Sequence, residues 1–151
     1  MQEENSLADS FQEMVVFDHL TDDDVHSILR RTKAVSYDAG AIIVEEGVVG
    51  NALYLVEEGV VDVLKSTGKG LHQIARLEAK TVFGEMGLVS GNASSARIVA
   101  VSPVKAQVLS RADLLDLIRN GEGATAKLLF NLARVLASRL RYLDERFVRS
   151  V

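Results

Sequence analysis

The 151-residue chain contains no cysteine, which excludes disulfides, thiolate zinc sites and thiol nucleophiles. It also has no run of eighteen apolar residues that would span a membrane. Its acidic start, Met1–Glu4, lacks the basic and apolar regions of a signal peptide. These absences predict an intracellular, cytoplasmic protein that does not cross a membrane.

The chain has fewer basic than acidic residues. Seventeen basic residues face twenty-one acidic ones, for a net charge of −4, and residues 1–29 contain no lysine or arginine. General nucleic-acid binding needs clustered basic residues, so this balance argues against it. Six basic residues lie within 127–151. We interpret that stretch as a solvated helix face, with a basic docking surface as the alternative. The length and the 48% hydrophobic content fit one globular domain.

Catalytic and metal-binding constellations are also missing. The three histidines, His19, His26 and His72, are scattered, and only His72 falls within a predicted strand. A metal enzyme on a β-barrel fold needs two or three histidines on adjacent strands. Gly121–Thr125 lacks the lysine of a phosphate-binding P-loop. We therefore expect no enzyme activity, no metal and no cofactor.

What is present is a series of short β-rich runs separated by glycine or turn residues. Eight such runs at this spacing, with helices only at the two ends, predict a mainly β fold of the sandwich or jelly-roll type. The predicted strands are Ala34–Tyr37, Ala41–Glu45, Ala52–Glu57, Val60–Lys65, Leu71–Leu77, Thr81–Phe83, Arg97–Val101 and Val104–Leu109.

Helices are predicted on both sides of the strands. Leu7, Phe11 and Met14 have helical spacing, and Thr21 followed by three aspartates is a helix start. Ser110–Asp113 forms a second capping box, and a longer helix follows over about residues 125–147. The predicted organisation is one domain: N-terminal helices over 1–33, strands over 34–110, and C-terminal helices over 111–151.

The segment 83–100 differs from the other connections between strands. Phe83–Leu88 contains two glycines and one acid, and a small polar turn with Ser94, Ser95 and Ala96 follows. Such a segment can present successive backbone amides to an anion, especially if residues 86–89 form a helical turn. Glu85 would then accept hydrogen bonds from a hydroxylated ligand such as ribose. The alternative is an ordinary loop between strands.

Two motifs in this region carry a family resemblance. Gly50–Gly59, with the sequence GNALYLVEEG, resembles the first signature of the cyclic nucleotide-binding domain. Phe83–Leu88 together with Ser94–Ala100 resembles the phosphate-binding cassette of that family. Similarity extends through Phe17–Leu20, Ala39-Gly40 and the C-terminal helices. The family comprises the sensor modules of catabolite-activator-type regulators, cyclic-nucleotide-dependent kinases and gated channels.

The resemblance implies a β-roll, that is, a double-stranded β-helix or jelly roll with flanking helices, and a regulatory role in signal transduction. It implies that Glu85 holds the ribose 2′-hydroxyl and that the long helix covers the base, where an ungapped comparison places Leu143 and Asp144. The candidate ligands are cAMP, cGMP and a cyclic dinucleotide. The ligand-binding residues that it implies are Phe83, Gly84, Glu85, Met86, Gly87, Leu88, Ser94, Ser95 and Ala96.

One cassette position departs from the family pattern. The family has an arginine immediately before the Ser/Thr-Ala pair, and this chain has Ser94 there. Loss of a charge-assisted bond to phosphate predicts binding weaker by about 10²- to 10³-fold. Arg97 is three residues away, and this odd offset places it on the opposite face of a strand from Ser94, which makes it a poor substitute.

The long helix predicts a homodimer. Leu129, Leu132, Leu136 and Leu143 follow a nearly heptad pattern, with Arg139 filling the gap. Leu128, Val135 and Leu140 would then pack onto the domain's own strands. The alternative is that the whole stripe folds back on one chain. No helix-turn-helix follows the long helix within these 151 residues, so we expect no DNA binding by this chain alone.

Two functions fit these observations. The first is a stand-alone sensor domain that binds a cyclic nucleotide weakly and signals to a protein partner. The second is a degenerate member of the family that has lost its ligand and acts by dimerisation or docking. Ser94 favours the second, whereas Gly84, Glu85, Ser95 and Ala96 favour the first. A DNA-binding regulator with its output domain elsewhere is a remaining alternative.

Overall fold

The structure of the protein, a computed structural model, describes residue 11 and residues 13–150. Within these residues eight antiparallel strands form two four-stranded sheets. The strands are β1 (Lys33–Tyr37), β2 (Ile42–Val44), β3 (Ala52–Glu58), β4 (Val61–Thr67), β5 (Gly70–Leu77), β6 (Val82–Phe83), β7 (Arg97–Ala100) and β8 (Val104–Ser110). One sheet has the order β1-β8-β3-β6 and the other the order β2-β7-β4-β5.

This topology confirms the predicted mainly β jelly roll. Each of the eight predicted runs corresponds to one observed strand, with bounds that differ by no more than two residues. Apart from the β4–β5 hairpin, neighbours within each sheet are not consecutive in sequence, as in β1 with β8 and β2 with β7. Such long-range antiparallel pairing closes the strands into a roll, which a simple up-and-down sheet would not do.

Helices flank the strands as the sequence predicts, and one further short helix lies between β6 and β7. They are α1 (Asp22–Leu29), α2 (Glu85–Ser90), α3 (Arg111–Arg119) and α4 (Gly123–Ser150), with a 3-10 turn at Val15–Phe17. Thr21 and Asp24 form the reciprocal capping box of α1, and Ser110 accepts a hydrogen bond from the Asp113 amide to begin α3. Leu7 lies outside the described residues. None of the described helices is both long enough and apolar enough to cross a membrane.

Two apolar clusters hold the domain together. One lies between the helices and the first sheet and includes Phe11, Phe17, Leu53, Leu109 and Leu128. The other lies between the two sheets and includes Val56, Val61, Phe83 and Ile98. Because Val82 and Leu88 share the first cluster with Leu128 and Leu132, the C-terminal helix packs near β6 and α2.

The rotation of α4 differs from the sequence prediction at two positions. Leu128 and Val135 pack on the core as expected. Leu132 does not lie in a seam between chains, because it is one helical turn from Leu128 and is 1% exposed in the same core. Leu140, expected on the domain's own strands, is instead 61% exposed. Leu132 therefore belongs to the buried face of α4 and Leu140 to its exposed face, which is the reverse of the prediction.

Tyr54 gives the fold a testable response to alkaline pH. Its ring stacks on Phe83 with centroids 4.6 Å apart, and burial, together with Tyr37, raises the pKa of Tyr54 to about 12. Since the unfolded group titrates near 10, the stability linked to Tyr54 is complete below pH 10 and is lost as pH rises towards 12. Tyrosinate absorbance should show a step near pH 12 that Tyr54→Phe removes. A titration unchanged by Tyr54→Phe would contradict this assignment.

Candidate ligand-binding site

Two glycines let α2 lie directly against β3 and the loop before it. Gly84 has a φ of +86°, and a Cβ there would stand 2.4 Å from the Ala52 carbonyl oxygen. A Cβ on Gly87 would stand 2.8 Å from the Gly50 carbonyl oxygen. Both contacts are too short for a side chain. The two family-like motifs, Gly50–Gly59 and Phe83–Leu88, therefore pack backbone to backbone at this position.

The other side chains of Phe83–Leu88 have different roles. Phe83 and Leu88 are buried in the core, so the backbone of these two residues is what remains for a ligand. Met86 is exposed. The condition named for anion binding, a helical turn at 86–89, is met, since α2 spans Glu85–Ser90. Within this segment Glu85 is the polar side chain that the fold buries.

Glu85 is paired with an arginine from the C-terminal helix. Its side chain is 8% exposed, and the Arg139 guanidinium donates one hydrogen bond to Glu85 Oε1 and another to the Val82 carbonyl oxygen. Arg139 therefore ties α4 to both β6 and α2. The sequence analysis placed Arg139 at a gap in a seam between chains, and that placement is wrong because the side chain turns inwards to compensate the buried carboxylate.

Leu143 and Asp144, the residues expected to cover the base, follow Arg139 on α4. Both are exposed on α4, one helical turn beyond Arg139. Leu143 is four residues from Arg139 and shares its side of the helix, so the assignment of Leu143 and Asp144 to the base of a ligand stays a prediction. The residue that α4 presents to Glu85 is Arg139. This long-range ion pair was missed because the sequence analysis assigned Glu85 to a ligand hydroxyl and Arg139 to a seam between chains.

The second half of the candidate site is a pair of adjoining loops. The Ser94 amide donates to the Val48 carbonyl oxygen at 2.7 Å, and the Gly47 amide donates to the Ser94 carbonyl oxygen at 2.8 Å. The Ser94 hydroxyl donates to the Ala96 carbonyl oxygen at 2.7 Å. Ser94 is thus held by its own backbone and hydroxyl contacts, and it brings Ser95 and Ala96 to the start of β7.

Arg97 lies on the other side of β7. It is opposite Leu64 in the β4–β7 register, whereas its neighbour Ile98 is opposite Val63 and is buried between the sheets. Successive strand residues face opposite sides, so Arg97 points away from the face that carries Ile98 and Ala96. Its guanidinium donates to Glu45 at 2.8 Å. This geometry agrees with the argument that Arg97 does not substitute for a cassette arginine.

Lys65 brings a positive charge to the cassette that sequence reasoning missed. The Lys65 ammonium donates to the Ser95 carbonyl oxygen at 2.5 Å and forms an ion pair with Glu46 at 2.9 Å. A hydrogen bond from Lys65 is the main cause that lowers the pKa of Glu46, with further contributions from the Ser66 amide and from charge. The available signal was the alternation of Val61, Val63 and Lys65, which places all three on one face of β4.

Comparison with known proteins identifies the family. The model of the cyclic nucleotide-binding domain matches residues 34–120, which is more than half of the chain. The chain belongs to the cyclic nucleotide-binding domain family. A crystal structure of a cyclic nucleotide-binding domain from Methylobacillus flagellatus superposes with a TM-score of 0.90 at 27% identity, covering 97% of this chain and 85% of that one.

Curated members of the family are similar over part of their length. The cyclic AMP receptor protein of Thermus thermophilus is 35% identical over 85% of this chain and 58% of its own. A cAMP-dependent protein kinase regulatory subunit of Schizosaccharomyces pombe is 30% identical over 58% of this chain and 22% of its own. The chain thus spans less than two thirds of these relatives. It is homologous to regulatory domains, and the family role is regulation by cyclic nucleotides.

Proposed function

We propose that this chain is a regulatory sensor domain that binds a cyclic nucleotide weakly between the segments Gly84–Leu88 and Ser94–Ala96 and signals to a protein partner. Gly84, Glu85, Ser95 and Ala96 retain the family's cassette pattern. The candidate ligands are cAMP, cGMP and a cyclic dinucleotide. The name of the Thermus relative points to the first of these.

The ion pair between Glu85 and Arg139 is the observation that carries this proposal. Glu85 is the cassette acid expected to accept a ribose hydroxyl, and its carboxylate is held by a side chain of α4. A hydroxyl that bonds to Glu85 displaces the guanidinium or shares the carboxylate with it. Either change acts directly on the C-terminal helix, which supplies a physical route from ligand to partner.

Calorimetric titration with cAMP, cGMP and cyclic di-GMP at millimolar concentration tests the proposal. We expect a saturable heat of binding with at least one ligand. Because position 94 is a serine, the dissociation constant should be higher than it would be with an arginine there. Gly84→Ala is the negative control. Its Cβ would clash with the Ala52 carbonyl oxygen, so we expect this variant to bind no nucleotide. No heat from any of the three ligands with the native chain would contradict the sensor function.

We also propose that the chain forms a homodimer through a seam on α4. The seam consists of Leu129, Ala133, Leu136, Leu140, Leu143 and Phe147, which alternate in steps of four and three residues. Leu140, Leu143 and Phe147 are exposed, and Leu129 and Leu136 are partly exposed. The continuous heptad pattern supports a second α4 helix as the partner, since a coiled coil buries such a pattern along its full length.

Leu143→Glu should dissociate the dimer, because it places a charge in the seam at a side chain that is exposed in the single chain. Val148→Glu is the control, since Val148 is exposed on the same helix but lies outside the heptad pattern. Sedimentation equilibrium should show two chains for the native protein and for Val148→Glu, and one chain for Leu143→Glu. A native monomer at high micromolar concentration would contradict the dimer.

The second candidate function is a docking module without a ligand. Its support is Ser94 at the cassette position together with the apolar face that α4 exposes. The two functions are separated by calorimetry in combination with sedimentation. Dimerisation without any nucleotide binding is the result expected for a docking module.

A further inference from the structure

We infer that Lys65 is the residue that neutralises the ligand's phosphate in this chain, in place of an arginine at position 94. This inference rests on the proposed nucleotide-binding function and names the charge that the function requires. The contact that carries it joins the Lys65 ammonium to the Ser95 carbonyl oxygen at 2.5 Å.

The strand register directs Lys65 towards the cassette. Val63 is opposite Ile98 and Leu64 is opposite Arg97 in the β4–β7 pair. Lys65 therefore follows on the same face as Val63, next to the segment Ser94–Ala96 where β7 begins. Arg97 lies on the other face and is engaged by Glu45. A lysine on β4 thus reaches the location that Ser94 leaves without charge.

The chemistry of Lys65 suits a cyclic phosphate. A phosphodiester carries one negative charge, and one ammonium with three donors neutralises it while keeping a bond to a backbone carbonyl. The Lys65 side chain is 45% exposed, so its head group is accessible to a ligand that enters from solvent. An ammonium is a flexible point charge without bidentate geometry, which agrees with weaker binding than an arginine would provide.

Glu46 competes for the same ammonium. Its carboxylate pairs with Lys65 at 2.9 Å and also accepts a hydrogen bond from the Ser66 amide at 3.2 Å. A phosphate that binds Lys65 must share it with this carboxylate and must approach a negative charge. Removing the charge of Glu46 while keeping an acceptor for Ser66 should therefore strengthen ligand binding.

Calorimetry with cAMP, or with whichever of the three cyclic nucleotides the native chain binds, tests the assignment. It uses two variants that are expected to change the affinity in opposite directions. Lys65→Gln should weaken binding by roughly tenfold or more, because it removes a charge-assisted bond. Glu46→Gln should tighten binding by about two- to fivefold. Lys69→Gln is the matched control, because it removes the same charge from the exposed end of the β4–β5 hairpin and should leave affinity unchanged. The dependence of affinity on salt should be shallower for Lys65→Gln than for the native chain.

The outcomes separate this inference from the proposed function. Binding by the native chain with no loss in Lys65→Gln would overturn the role of Lys65 and leave the sensor function in place. If the native chain binds none of the three cyclic nucleotides, both the role of Lys65 and the sensor function are overturned. A gain in affinity from Ser94→Arg that is larger in the Lys65→Gln background than in the native chain would support the inference, because the two charges would then serve the same phosphate. Circular dichroism melting shows whether each variant is folded.

Discussion

Ser94→Arg is expected to tighten the binding of a cyclic nucleotide by roughly tenfold or more. The substitution adds a planar cation beside Ser95 and Ala96, where a guanidinium can form two parallel bonds to a phosphate. The backbone of this loop is already held by its bonds to Val48 and Gly47, so the new side chain extends from a fixed position. Little ordering of the loop is then required when the ligand binds.

Calorimetry on the native chain and the variant measures this effect. Ser36→Arg is the control, because it adds the same charge to an exposed position on β1, in the other sheet. If Lys65 already serves the phosphate, the gain from Ser94→Arg should be larger when Lys65→Gln is present than when Lys65 is intact. An unchanged or weaker dissociation constant for Ser94→Arg would mean that the site is not arranged around an anion at this loop.

The second large effect concerns the two members of the Glu85–Arg139 pair, whose removal should have unequal consequences for stability. Arg139→Leu leaves the Glu85 carboxylate buried without its cation and should lower the free energy of unfolding by about 1–3 kcal/mol. Glu85→Ala leaves Arg139, which is 32% exposed and retains its bond to the Val82 carbonyl oxygen. Its cost should therefore stay below about 1 kcal/mol, whereas nucleotide binding should be abolished.

Urea denaturation of both variants and of the double variant measures this asymmetry. Arg141→Leu is the control for loss of a helix arginine, because Arg141 is exposed on the same helix. Glu85→Ala in the Arg139→Leu background should recover stability, since the unpaired carboxylate is then gone. Unfolding of Glu85→Ala would show that Glu85 is a structural residue and would remove the basis for its contact with ribose.

The sequence predicted the strands and the helix starts because their signals are local. Glycine and turn residues separated the eight strands, and Thr21 and Ser110 identified two helix starts through side-chain caps that act within three residues. Such features depend on neighbouring residues and need no knowledge of the tertiary arrangement. The short helix at Glu85–Ser90 begins at Gly84 without a side-chain cap, and the sequence suggested it only as a condition for anion binding.

The rotation of α4 was predicted less well because two apolar stripes overlap on it. Leu128, Leu132 and Val135 define one stripe, and Leu140 and Leu143 belong to another that lies about a quarter turn away around the helix. Which stripe faces the core depends on the shape of the surface beneath it. The contacts of Arg139 and Lys65 depend on partners 54 and 30 residues away. Alternation along β4 indicates which face carries Lys65, but no local pattern identifies either partner.

The central claim, that a cyclic nucleotide binds between Gly84–Leu88 and Ser94–Ala96 and acts on α4 through Glu85, is tested most directly by NMR. Amide spectra of the native chain should be recorded during titration with cAMP, cGMP and cyclic di-GMP. For a ligand that binds, we expect saturable shifts at Gly84–Leu88 and Ser94–Ala96, together with a shift of the Arg139 side-chain resonance. Shifts confined to other surfaces, or none with any of the three nucleotides, would contradict the account.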